Sequence, residues 1–320
     1  LAPLAPALDS LASALGPLAP ALARILALAA QGGAQGGAQG GGGGAPPRVA
    51  FDCDKTLVAG DVGEAAFARL LSQGRVASLD AWWAPLPADE ARALRPAYER
   101  EAGRIAAERA RGGEPEPLSP ALFARLWDSY ERLCARDIRA GYLFAARCCA
   151  GLPAADAAAL AAEMVDEALS SPMTDGPGPC LGVRPRPAMR ALVSALEARG
   201  VEVWVVSSSQ QHLVERLVTR HLGVRPGRVI AVDFERDEGG ALSTRPVEPC
   251  PIEDGKRARF LAQLGAPPLV MVGDSRYDLP LMRVSAGGVF VDHGRAPLLR
   301  AEAEGLGALV IAAEELDRDL

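Results

Sequence analysis

A chain of 320 residues predicts about two domains, either of them large enough to bury a core. A formal net charge of −6 and a pI near 5.3 disfavour a nucleic-acid binder, whose surface would be basic. The six cysteines include no C-x-x-C pair, which argues against a zinc site or a disulfide framework, and no stretch is long and apolar enough to cross a bilayer.

Residues 1–30 are rich in Ala, Leu and Pro, with prolines at 3, 6, 17 and 20 that interrupt any long helix. Ala21–Ala30 has the pattern of a short apolar helix. The segment is read as a disordered low-complexity arm, with the tail of a signal or anchor as the alternative. Gln31–Gly44 is a glycine-rich tether, so the fold is expected to begin near Pro46. The first residue is Leu1 rather than Met, which leaves the compartment open: cytoplasmic by default, with export as the alternative.

Val49-Ala50-Phe51 reads as a buried strand that delivers Asp52, Asp54 and Thr56 to the turn beyond it. Alternate residues of an extended segment share a face, and two acids so close repel unless a cation joins them or one holds a proton. That is the arrangement of a metal-assisted transfer, with one carboxylate as nucleophile and the other trading a proton. A solvated acidic turn is the bland alternative.

A helix opens at Asp61-Val62-Gly63-Glu64 and runs toward Leu71. About 120 residues with little strand character follow, with helices over Pro87–Arg111, from Ser119-Pro120 to Cys149 with a possible break at Gly141, and over Pro153–Leu169. This stretch is expected to form a second, helical domain, residues 61–185. Ala188–Arg199 is an amphipathic helix stopped by Gly200, followed by strand Val201–Val206, helix Gln210–Leu222 and strand Val229–Phe234. After a hairpin turn at Asp237–Leu242 come helix Gly255–Leu264, strand Leu269–Val272, helix Tyr277–Val284, strand Gly288–Val291 and a strand near Leu309–Ile311. Alternating strands and helices predict an α/β fold with a doubly wound parallel sheet, formed by residues 46–60 and 186–320. Ligands of such sheets bind beyond the carboxyl ends of the strands.

Three strand ends carry chemistry. Ser207-Ser208-Ser209 offers hydroxyls and free N–H groups at a helix N-terminus, which suits a phosphate, although a plain helix cap would look the same. Gly273-Asp274-Ser275-Arg276-Tyr277-Asp278 places two acids on a glycine turn, and Lys256 begins the preceding helix. Together they offer carboxylates for a hard cation, donors for an anion and one ammonium, a set that fits Mg2+.

DCDKTL, VVSSS, GK and GDSRYD, in this order, resemble the four motifs of the haloacid dehalogenase superfamily. The helical insertion after the first motif, and RPRPAMRALVSALEARGVEVWVVSSSQQHLVE, resemble the phosphoserine phosphatase branch, whose layout the phosphorylcholine phosphatase-like group shares. The resemblance implies a Rossmann-like core with a helical cap. It implies Asp52 as nucleophile forming an aspartyl-phosphate, and Asp54 as acid and base whose backbone carbonyl binds Mg2+. It further implies Thr56 orienting Asp54, Ser207 with Ser208 at the phosphoryl oxygens, and Lys256 neutralising them. Asp52 and Asp274 would ligate Mg2+, with Asp278 supporting the metal's waters or Lys256. The D-K-T of cation pumps is rejected, because Leu57-Val58 stand where those continue Gly-Thr. Asp54 favours a phosphatase over a dehalogenase, since halide needs no proton.

Asp61 lies nine residues after Asp52, where phosphoserine phosphatases place an acid for the substrate ammonium, yet Asp61 with Glu64 is also a capping pair. Trp82, Trp83, Trp127 and Tyr130 offer an aromatic cage for a quaternary ammonium or, more ordinarily, core packing. His212, His221 and His293 read as helix-surface or loop residues, and Cys53 and Cys148-Cys149 as packing. The expectation is a Mg2+-dependent phosphomonoesterase of a small phosphorylated metabolite, phosphoserine-like first and phosphorylcholine-like second. A phosphotransferase or nucleotidase on the same scaffold is the enzymatic rival, and a non-catalytic phosphate-binding module the rival of another class.

Overall fold

A computed structural model describes residues 15–36, 46–174, 176 and 178–318. Its centre is a six-stranded parallel sheet made of β1 (Arg48–Phe51), β4 (Glu202–Gln210), β5 (Val229–Val232), β8 (Val270–Gly273), β9 (Gly287–Asp292) and β10 (Leu309–Ala312). The order across the sheet is β10-β9-β8-β1-β4-β5, so the chain moves outward from β1 through β4 to β5 and then returns to β8 on the other side. The reversal opens a crevice at the carboxyl end of β1, where such sheets bind ligands.

Period-two alternation gives the sheet two apolar faces. Val49, Phe51, Val203, Val205, Val270, Val272, Val289 and Val291 join one core, whereas Ala50, Trp204, Met271 and Phe290 join the other. The second core is closed by α10 (Gly255–Leu264), α11 (Leu279–Val284) and α12 (Pro297–Gly305), through Phe260, Leu281, Met282 and Ala303. On the first face lie α8 (Pro187–Glu197), α9 (Gln211–His221) and the short α13 (Ala313–Leu316).

Residues 15–25 of the N-terminal segment are also in the first core, contrary to their reading as part of an arm, whereas residues 1–14 lie outside the described residues. Helix α1 spans Ala19–Gly36, and Leu18, Ala21 and Ile25 are fully buried against α8 and its neighbours. Arg24 donates to the carbonyl of Gly307 at 2.7 Å. The apolar residues that look like low complexity repeat at helical spacing, and their burial repays the ordering of the chain. Of the expected tether Gln31–Gly44, residues 31–36 continue α1 instead, and residues 37–44 lie outside the described residues.

Between β2 (Val58–Ala59) and its antiparallel partner β3 (Arg184–Pro185) the chain makes a helical insertion. It comprises α2 (Val62–Ser72), α3 (Asp80–Trp83), α4 (Ala88–Ala110), α5 (Pro120–Arg136), α6 (Ile138–Ala146) and α7 (Ala154–Ser170). The break expected at Gly141 falls instead at Asp137, which leaves helical φ/ψ and caps α6 by accepting from the N–H of Ala140 at 2.9 Å. The expected strand Val229–Phe234 ends at Val232. Phe234–Arg236 forms β6, which pairs with β7 (Leu242–Pro246) in a separate hairpin. Among the described residues no helix is long and apolar enough to cross a membrane.

Candidate active site

Four strand ends and the start of α10 converge in the crevice. Asp52 directly follows β1 and Asp274 follows β8, while Lys256 is the second residue of α10. Lys256 Nζ donates to Asp52 Oδ1 and to Asp278 Oδ1, both at 2.7 Å, and all three residues are buried. Two glycines make this possible. A Cβ on Gly255 would stand 1.8 Å from the carbonyl oxygen of Cys250, and one on Gly273 would stand 2.5 Å from Asp278 Cγ. Asp278 therefore folds back under the turn. Its Oδ2 accepts from the N–H of Asp274 (3.2 Å), the N–H of Ser275 (3.0 Å) and the Ser275 hydroxyl (2.7 Å).

Burial alone would lower the basicity of Lys256, but Asp278 and Asp52 outweigh it and hold the ammonium above its ordinary value. Burial and the nearby Asp278 push the Asp52 carboxyl well up, against the pull of Lys256. Burial would raise Asp274 too, yet it lies below the usual range because His293 hydrogen-bonds it and Lys256 and Lys55 stand near. Oxygens of Asp52, Asp274 and Asp278 all lie within 4.8 Å of one another. Three carboxylates against one ammonium leave negative charge in a buried place, and hard oxygen donors suit a divalent cation such as Mg2+.

Asp54 points the other way. Its Oδ1 accepts from the N–H of Val62 at 2.6 Å and its Oδ2 from the Ser209 hydroxyl at 2.7 Å, with the Ser207 hydroxyl at 3.4 Å. Burial, then the neighbouring Asp61, raise its carboxyl to about 7 although those donors favour the charged form. The Asp54 carboxylate is thus no member of the acidic cluster.

Asp52, Asp54, Asp61, Ser208, Lys256 and Asp274 line one cavity of about 100 Å3. Thr56, Ser207 and Asp278 are buried behind it rather than in its wall. Thr56 Oγ1 donates to Asp274 Oδ1 at 3.2 Å, so it supports the acid of the next strand and does not orient Asp54. Ser207 and Ser209, two apart on an extended backbone, both face Asp54, whereas the Ser208 hydroxyl turns to the carbonyl of Pro251 at 3.0 Å.

The far wall belongs to the helical insertion. Asp61 caps α2, its Oδ1 accepting from the N–H of Glu64 at 2.9 Å, and its Oδ2 meets Lys55 Nζ at 3.2 Å. Glu64 does not close a capping box. Its Oε1 accepts from the Tyr130 hydroxyl at 3.1 Å, and among the described residues no donor reaches Oε2. The Asp61 charge and burial raise Glu64 to about 7. Tyr142 and Tyr277 complete this wall with ring centres 6.3 Å apart. The tryptophans are core residues: Trp82 stacks on Phe144 at 4.5 Å, Trp83 packs on Trp82 at 4.6 Å, and Trp127 packs on Tyr130 at 5.0 Å. Among the described residues no arginine lines the cavity.

His293, read from sequence as a loop residue, is in the site. Its Nε2 lies 3.4 Å from Asp274 Oδ2 and 3.1 Å from the carbonyl oxygen of Lys55. Its position one residue after β9 was a usable signal. Ser209 is in the serine run read from sequence, though its place beside Asp54 rests on alternation from Ser207, and nothing in the sequence marks Tyr142.

Residues 49–283 match the model of a family described as haloacid dehalogenase-like hydrolase. No curated protein matches the sequence. Among solved structures, a conserved protein of unknown function from Anaerococcus prevotii aligns with TM-score 0.56 and 14% identity over 83% of this chain and 85% of that chain. One of unknown function from Bordetella pertussis aligns with TM-score 0.51 and 19% identity over 84% of this chain and 100% of that chain. A substrate-bound phosphoserine phosphatase aligns with TM-score 0.40 and 15% identity over 84% and 94%.

Proposed function

The chain belongs to the haloacid dehalogenase-like hydrolase family, and from that premise we propose that it is a Mg2+-dependent phosphomonoesterase acting through an aspartyl-phosphate on a small amine-bearing ester. The observation that carries this reading is Asp54, a carboxyl in the cavity wall raised to about 7 and so able to hold a proton. A halide leaves without one, but the alkoxide of a phosphate ester needs it.

Asp52 attacks phosphorus in line while Asp54 protonates the leaving oxygen, and the P–O bond to the alcohol breaks. Asp54, now ionised, takes a proton from water, whose oxygen attacks the aspartyl-phosphate and releases phosphate with Asp52 restored. Lys256, 2.7 Å from Asp52, offsets charge on the nucleophile and the transferring group. Ser208, in the cavity wall, meets the phosphoryl oxygens by turning its hydroxyl from the carbonyl of Pro251. Asp52, Asp274 and the backbone carbonyl of Asp54, with Asp278 behind, would hold Mg2+, which would supply further neutralisation. The helical insertion acts as a cap that closes over the substrate.

The cap wall supports one substrate class. Asp61, Glu64 and the tyrosines suit a cation, whereas a substrate carboxylate on that side, away from Lys256, would meet among the described residues no arginine and only Lys55, already paired with Asp61. The geometry thereby favours phosphorylcholine- or phosphoethanolamine-like esters over phosphoserine, reversing the order expected from sequence. Phosphate release from such a panel, with Mg2+ and with EDTA, tests the proposal. Metal-dependent release greatest on an amine-bearing ester without a carboxylate supports it, and preference for phosphoserine overturns the substrate class.

A further inference from the structure

Arg186, just before α8, is 1% exposed and lies behind the turn that carries the acids. Its guanidinium is bidentate on Asp317, with Nε 2.7 Å from Oδ1 and Nη2 3.0 Å from Oδ2. Nη1 faces the turn and donates to the carbonyls of Thr56, at 2.9 Å, and of Lys55. The Arg186 backbone N–H donates to the carbonyl of Leu57 at 3.1 Å. Three consecutive carbonyls following Asp54 are therefore held by one residue.

The turn needs such a restraint. Lys55 has φ +59°, in the left-handed region where a side chain with a Cβ is strained. That strain lets Asp54 face Ser209 and the N–H of Val62 while Thr56, two residues on, faces Asp274. Water outside, or a reoriented arginine, would let the backbone relax to an ordinary conformation and swing both side chains. A guanidinium has the rigid fork to bind carbonyls on one side and a carboxylate on the other, and a buried one needs its counter-charge. Asp317 follows α13, which packs on α8 and on residues 16–18 of the N-terminal segment. The segments packed on the first face of the sheet thus reach the acid–base residue through one ion pair.

We propose that Asp317 is a positioning residue that, through Arg186, latches the turn Lys55–Leu57 and so sets Asp54 for proton transfer; the consequence for turnover rests on the phosphatase reading. Asp317 touches no reacting atom. Its effect is on the proton-transfer step, which gives the latch a signature that a loss of folded protein lacks.

Two esters separate the effects. p-Nitrophenyl phosphate has a leaving group that departs without an acid, whereas the alkoxide of phosphoethanolamine needs Asp54. In Asp317→Asn, which keeps the shape and removes the charge, kcat on phosphoethanolamine is expected to fall about tenfold to 10²-fold, the scale of a small misplacement of a catalytic group. On p-nitrophenyl phosphate the fall should be smaller by about fivefold or more. Asp317→Glu should restore part of the loss. In parallel, hydrogen exchange should speed up at the amides of Lys55 and Val58, which donate to Gly60 and Cys53, and stay unchanged in β8 and β9. Equal losses on both esters, or unchanged kinetics with unchanged exchange at these amides, overturn the latch. A wild-type protein that hydrolyses neither ester would overturn the phosphatase reading instead, and the exchange comparison would then decide the latch alone.

Discussion

Lys256 Nζ stands 2.7 Å from Asp52 Oδ1 and 2.7 Å from Asp278 Oδ1, bridging the acid at the end of one strand to the acid that turns back beneath the next. With both partners buried, the ammonium is structural as well as chemical. Lys256→Met keeps the stem and leaves two buried carboxylates without their cation. The variant is expected to lose about 3 kcal/mol of stability in urea unfolding and about 10²-fold or more in kcat. Unchanged unfolding would show that the two acids are already neutral.

Asp54 sets the pH dependence. In the proposed mechanism its acid form protonates the leaving group, and its carboxyl is raised from 3.8 to about 7, so kcat/KM for an alkyl ester is expected to fall as pH rises through about 7. The rate on p-nitrophenyl phosphate should stay flatter over the same range. Stability follows the same group: the folded state binds a proton that the unfolded chain has released, so stability falls between about pH 4 and about pH 7. Asp54→Asn should flatten that part of a Tm-versus-pH curve.

Glu64 offers an oxygen to the cavity that no described residue claims, whereas both Asp61 oxygens are engaged. Glu64→Gln is expected to raise KM for phosphoethanolamine by about tenfold, the worth of a hydrogen bond to a charged group, and to leave KM for a neutral alkyl phosphate nearly unchanged. An equal rise for both esters would place the substrate ammonium elsewhere.

The sheet was legible in the sequence because its strands are short apolar runs, three of which end in a chemically marked turn. DCDKTL, GK and GDSRYD led to Asp52, Lys256, Asp274 and Asp278, residues that the fold gathers around one ammonium. Thr56 was harder, because proximity in sequence suggested Asp54 as its partner while the crossing of strands supplied Asp274. The cap wall was legible only in part. Tyr130 and Asp61 stood out, but Tyr142 and the free oxygen of Glu64 depend on how α2, α5 and α6 pack, which no local pattern encodes. Composition misled at the N-terminus, where an alanine- and proline-rich stretch hides a helical face.

That face can be measured. Leu18 and Ile25 are fully buried against the sheet domain. Ile25→Ala is expected to lower unfolding free energy by about 3 kcal/mol, as for other buried large-to-small changes. A change within about 0.5 kcal/mol, the size usual for exposed positions, would return the segment to the status of an arm.

The central claim is that Asp52 is the nucleophile, and the most direct test is phosphate release by Asp52→Asn beside wild type, with Mg2+ present and folding checked by circular dichroism. The replacement keeps the side chain's shape and removes the attacking carboxylate. Turnover at least about 10³-fold below wild type, in a folded protein, is the predicted result. Turnover within about tenfold of wild type would contradict the aspartyl-phosphate route and leave Asp52 as a ligand only.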